Sequence, residues 1–189
     1  MPPKPIISKK DIVTAAIKLV RENGINCVNA RSLANVLNCS TKPLFRIYKN
    51  MEELKSDIIA ELDAYYNSFM DSKITDKNRL LSQGIAYIEF AQKEKMIFST
   101  LFMSRTMEGL SLHDVINAEW NKAAIENAKK ITGLPTDKAE ILFINIWLYS
   151  HGIATQIVTN GIDMSLDTVT KLLINAFEKF SISTTKIAE

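Results

Sequence analysis

The run RSLANVLNCSTKPLFRIYKNMEEL, residues 31–54, decides how this sequence is read. Leu33, Ala34 and Leu37 supply the apolar edge of one short helix. Asn38-Cys39-Ser40 reads as a turn, with Ser40 capping a further short helix that holds Leu44, Phe45 and Tyr48. Lys49-Asn50 breaks that helix. Asn50 then caps a long one whose stripe is Leu54, Ile58, Leu62, Tyr65 and Phe69. Two short helices across a tight turn form a helix-turn-helix pattern. Its outer helix must be braced from behind and polar or basic in front. Leu44 and Tyr48 suit the brace. Thr41, Lys42, Phe45 and Arg46 suit the outward face.

Charge points the same way. Residues 1–55 hold ten Lys/Arg against four Asp/Glu, a net of +6. Residues 56–189 hold thirteen against seventeen, a net of −4. A basic N-terminal part fits a polyanion, and a helix-turn-helix fits duplex DNA. Ser40 would offer its hydroxyl and nearby amides to a phosphate. Lys49 and Lys9 or Lys10 would add backbone contacts, and Arg31 sits where the first helix of such a pair crosses the phosphate chain. The candidate DNA-contacting set is Lys9, Lys10, Arg31, Ser40, Thr41, Lys42, Phe45, Arg46, Tyr48 and Lys49.

Working outward, helical periodicity runs through the chain. Ile12, Ala16, Leu19 and Val20 stripe a first helix between a Ser8 cap and a Gly24 stop, with a short extended link from Ile25 to Asn29. Downstream helices are expected over about 76–93, 95–107, 113–132, 137–160 and 165–180, with Asp137 capping the fourth of these. Six Gly and five Pro in 189 residues is about half the usual share, which disfavours a turn-rich β fold. The expectation is all-α, about nine helices in total. A three-helix DNA-binding domain over 1–55, with its helix-turn-helix at about 31–50, precedes a larger helical bundle domain over 56–189.

Other classes fare poorly. Cys27 and Cys39 make no disulfide framework and no CxxC, and His113 and His151 lie far from both, so no metal and no cofactor is expected. There is no GxGxxG, Walker loop, HExxH or GxSxG, so no enzyme is expected. The start of the chain lacks the apolar core of a signal peptide. Ile141 to Ile162 carries no charged residue and is long enough to span a bilayer. Its many polar groups, Asn145 and His151 among them, favour a helix buried in protein over a membrane span.

Residues 12–54 resemble the DNA-binding domain of the TetR family of bacterial transcriptional regulators. The matching elements are Ile12-x-x-Ala15-Ala16-x-x-Leu19, Asn23-Gly24, Arg31-Ser-Leu33-Ala34-x-x-Leu37 and the run from Ser40 to Leu54. Phe45 stands for the common Tyr and loses a phenol that could bond a phosphate. Tyr48 stands for the common Phe, and Ile47 for a frequent His or Tyr. Met51 replaces the usual Lys and removes a positive charge, while Lys42 replaces a frequent Gly and adds a phosphate or guanine contact. These departures leave the operator sequence open.

The resemblance implies a cytoplasmic homodimeric repressor that binds a palindromic DNA operator and is released by a small-molecule effector. Half-sites would lie about 34–36 Å apart. Ligand binding among the middle helices would displace the fourth helix and carry the recognition helices out of register. The residues here suggest an apolar or aromatic effector, held by Met70, Phe98, Phe102, Met103, Met107 and Trp120, with Asn145, Trp147 and His151 on a helix that approaches them. Plain core packing is the alternative for each of these, and His113 reads as a surface residue. Dimer contacts are expected from the last two helices at Ile146, Ile153, Ile157, Leu172, Leu173, Ala176, Phe177 and Phe180. The competing function is a helix-turn-helix protein with no small-molecule ligand.

Overall fold

Helices start where the sequence supplies a cap. In the computed structural model, which describes residues 7–104 and 111–186, Ser8 and Asp11 close a reciprocal capping box on α1 (Lys9–Asn23). Gly24 stops that helix at φ 79°. Of the stripe expected for α1, Ile12, Ala16 and Val20 are fully enclosed and Leu19 is half-buried. The link after Gly24 is tighter than expected, because Ile25–Cys27 closes a 3-10 turn. Asn29 then caps α2 (Ala30–Val36) by accepting from the amides of Arg31 and Ser32. Helix α3 (Lys42–Ile47) follows, then α4 (Met51–Asp71).

Beyond α4 the described residues form α5 (Arg79–Lys93), α6 (Lys95–Phe102), α7 (Leu112–Asn117), α8 (Glu119–Thr132), α9 (Thr136–Asn160) and α10 (Leu166–Lys186). The all-α expectation holds among the described residues, with ten α-helices rather than about nine. The difference arises at 113–132. Ser111 and Asp114 cap a separate short helix, and Ala118 turns extended (ψ 133°) between α7 and α8. Apolar periodicity continues across that break, so it is silent in the pattern. Asp137 is not the cap of α9, since Pro135 already occupies the N-cap position and the helix begins one residue before Asp137. Helix α6 ends at Phe102, and Met107 lies outside the described residues.

The chain divides into two compact units, Met1–Tyr66 with Glu94–Thr106 and Asn67–Lys93 with Met107–Glu189. Helix α4 runs through both, and residue 55 lies inside the first. In the first unit α1 packs on α2 and α6. Its core includes Ile12, Val20, Leu33, Leu44, Leu54, Ile58, Leu62 and Phe98. Fully burying each such side chain stabilises by about 1.5–3 kcal/mol before chain entropy is set against it.

In the second unit α5 packs on α8, α9 and α10, and α9 also packs on α8 and α10. Gly84 permits the close approach of α5 to α9. A Cβ there would stand 2.8 Å from Ser150 Oγ, whose hydroxyl donates back to the Ile146 carbonyl. Helix α9 is the one described helix long and apolar enough to cross a membrane, and 33% of its most apolar window is buried within the chain.

Candidate nucleic-acid interface and ligand-binding region

The outer helix of the helix-turn-helix is set by the turn before it. Asn38 adopts φ 50°, a left-handed conformation that asparagine tolerates better than most residues. The Cys39 amide donates to the Ala34 carbonyl at 2.9 Å, which closes the end of α2. Ser40 does not cap α3. Thr41 holds the N-cap position, its side chain makes no capping bond, and Pro43 occupies the first turn. Proline fits there because first-turn amides have no intrahelical acceptor. Leu44 is 1% exposed and anchors α3 from behind. Lys42, Phe45 and Arg46 are exposed, and Phe45 keeps 51% of its surface open. Arg31, Ser40 and Lys49 are exposed as well, and Thr41 is half-buried.

Tyr48 departs from the contacting set. The residue is 3% exposed, which places it behind α3 as a brace and not on the outward face. Burial, with the Asp57 carboxylate beside it, pushes its phenol pKa well up. Lys9 lies over the Tyr48 ring, 5.6 Å from its centroid, and pairs with Asp57 at 2.6 Å. The Lys9 side chain remains 61% exposed, and Lys10 is exposed beside it. At the next helix start, Asn50 Oδ1 accepts from the Glu53 amide at 2.8 Å. Glu53 in turn accepts from the Lys49 amide at 2.7 Å. Asn50 therefore caps α4, as its sequence position implies.

The residues expected around an effector fall in both units. Phe98 and Phe102 belong to the first unit, where their rings pack at 5.1 Å and Phe102 meets Tyr66 edge-on at 4.8 Å. Met103, half-buried, is in the same unit. Met70, Trp120, Asn145, Trp147 and His151 belong to the second. Met70 is 5% exposed and reads as core. Trp120 is 73% exposed, which takes it out of any enclosed pocket. Asn145, Trp147 and His151 are half-buried on α9. His151 Nδ1 lies 2.9 Å from the Tyr87 hydroxyl, and burial pulls the imidazole pKa below its usual 6.5. Sequence spacing gives no sign of Tyr87 beside His151, since only the packing of α5 on α9 brings the two together.

A shallow groove of about 360 Å³ lies elsewhere in the second unit, lined by Thr132, Leu134, Phe177, Glu178, Ser181 and Ile182. No group of His, Cys, Asp and Glu among the described residues could hold a metal ion. His113 is exposed at the start of α7.

The expected dimer residues also divide. Ile146, Ile157, Leu173 and Ala176 are buried in the chain's own core. Ile153, Leu172, Phe177 and Phe180 are half-buried. The large apolar residues that α9 and α10 leave outside are Ile141, Leu148, Leu166, Ile174 and Ile182. A helix contacting neighbours on several sides carries more than one apolar stripe, and spacing alone cannot say which stripe faces inward.

No family model matches the chain, and no curated protein matches it. Among solved structures it is similar to a crystal structure of a TetR transcriptional regulator from Rhodococcus sp. RHA1. The two are 14% identical over 90% of this chain and 93% of that one, with a TM-score of 0.49. The likeness is one of helical fold alone.

Proposed function

We propose that this protein is a DNA-binding transcriptional regulator, a cytoplasmic homodimer of the kind that the resemblance of residues 12–54 to the TetR family implies. The observation that carries the reading is α3 itself. A six-residue helix is held from behind by Leu44 and Tyr48 and presents Lys42, Phe45 and Arg46 outward, in a segment of net charge +6. This is the arrangement that major-groove reading requires. The DNA-contacting set is then Lys9, Lys10, Arg31, Ser40, Thr41, Lys42, Phe45, Arg46 and Lys49. Residues 1–55 act as the DNA-binding domain and 56–189 as the dimerisation and effector domain. Dimer contacts come from the outward apolar residues Ile141 and Leu148 of α9 and Ile174 of α10. The regulator is a repressor, released when a small apolar or aromatic molecule displaces α4.

A second reading, the same DNA-binding protein without an effector, is favoured by the full burial of Phe98 and the near-full burial of Met70. The deciding experiment is selection from a random duplex pool at about physiological salt, where weak phosphate binding is suppressed. An enriched inverted repeat supports a sequence-specific dimer. A folded dimer that enriches nothing overturns the reading.

A further inference from the structure

Glu94 is the single residue between α5 and α6. It occupies the N-cap position of α6 with φ −128° and ψ 53°, yet its side chain makes no capping bond. Its two carboxylate oxygens are committed elsewhere. Arg21, in the last turn of α1, donates to both, Nε to Oε2 at 2.9 Å and Nη2 to Oε1 at 3.0 Å. Tyr65, on α4, donates its hydroxyl to Oε1 at 2.9 Å. The guanidinium also lies over the Tyr65 ring, 5.8 Å from its centroid. The carboxylate is 12% exposed while the Arg21 side chain is 49% exposed, so the anion is the enclosed partner. One turn away Gly24 approaches the same helix start. A Cβ there would stand 2.9 Å from Met96 Cε. The end of α1 thus meets the start of α6 twice, through a forked ion pair and through a close apolar approach.

A bidentate guanidinium–carboxylate pair fixes orientation as well as distance. Giving up the N-cap bond of α6 for that pair makes sense where joining three helices matters more than finishing one. We infer that Glu94 is a positioning residue for DNA binding, a joint that sets α1 against α4 and α6 and so holds the helix-turn-helix scaffold in its operator-binding arrangement. The inference rests on the DNA-binding reading above. Arg21 stands twelve residues after Lys9, about 18 Å along the helix axis, so the joint acts from the opposite end of α1 to the expected phosphate contacts.

The test uses the full chain and the duplex that the selection enriches, comparing wild type with E94Q, Y65F, R21E and the exchanged pair R21E/E94R. Folding is checked by thermal melting and helical circular dichroism. E94Q and R21E should each weaken duplex binding about tenfold or more, with the salt slope of E94Q unchanged because no phosphate contact is lost. The exchanged pair should recover most of that loss, and Y65F should fall between. In DNA-free protein, amide exchange in E94Q should quicken over 19–23 and 95–98 and stay unchanged in α10. Wild-type affinity in a folded E94Q overturns the joint and leaves the DNA-binding reading standing. So does an R21E loss that E94R does not repair and that lowers the salt slope by about one, since Arg21 would then be a phosphate contact. A wild type that enriches no duplex overturns the DNA-binding reading, and the positioning role falls with it whatever the exchange pattern.

Discussion

The Lys9 ammonium at the start of α1 lies 2.6 Å from the Asp57 carboxylate of α4. The hydrogen bond from Lys9 is the foremost cause that holds the Asp57 pKa below its usual 3.8. A carboxylate with a depressed folded pKa contributes stability above its unfolded value and loses it as pH falls through the folded one. The Asp57 carboxyl resonance should therefore titrate below pH 3.8, and K9A should move it upward. Carbon-detected NMR across pH 2–6 reads this. An unmoved resonance would mean that the pair does not persist in solution.

The outward face of α3 makes separable predictions. If Lys42 meets only phosphate, K42A should weaken all duplexes alike and reduce the salt slope by about one. If it reads a base, preference at one position should relax instead. Arg46, exposed on the same short helix, can be sorted by the same titration. Removing the exposed Phe45 ring with F45A should leave the melting temperature almost unchanged while lowering operator affinity.

Leu44 lies behind that face, and its loss should act through the fold. L44A empties a fully enclosed site and should cost about 2–5 kcal/mol, read by urea denaturation. Operator binding should fall with it, and stabilising additives should restore both together. F45A should show no such rescue.

Helices α9 and α10 predict two different failures. L148K and I174K place charges on surface that the chain leaves open, so a folded monomer should result, visible by sedimentation. I146A removes a fully buried side chain and should lower the melting temperature of whatever oligomer forms. A dimer that survives L148K together with I174K would relocate the interface.

His151 carries a pH signature. Burial lowers its folded pKa below 6.5, so the unfolded chain takes up the proton first as pH falls. Stability should decline as pH drops below about 6.5, and continue to decline until the folded pKa is reached. H151Q should flatten that decline. Thermal melts at pH 8 and pH 5.5 test it, with Y87F as the partner control for the 2.9 Å contact between Tyr87 and His151.

Much of this was legible in sequence where a local rule decides the outcome. Ser8, Gly24, Asn50 and the stripe from Leu54 to Leu62 act through spacing and capping, which neighbouring residues define by themselves. What escaped depends on contacts between distant segments. Ile146 and Leu148 are both aliphatic residues on α9, and only the packing of α5, α8 and α10 decides that the first is core and the second surface. Trp120 looks like a pocket residue by type and stands in solvent. Glu94 looks like any surface glutamate until Arg21, 73 residues earlier, and Tyr65, 29 residues earlier, close on it. Ser40 shows a subtler limit, since serine and threonine are adjacent candidates for one cap and the chain begins its helix after the second.

Helix α3 spans six residues, far below the length at which a lone helix persists in water. The Thr41 side chain does not cap it, and Pro43 removes one of its amides. It exists only as long as Leu44 stays seated. A disturbance that unseats Leu44 would therefore dissolve α3 instead of tilting it, so its outer face is present or absent where that of a longer helix could shift by degrees.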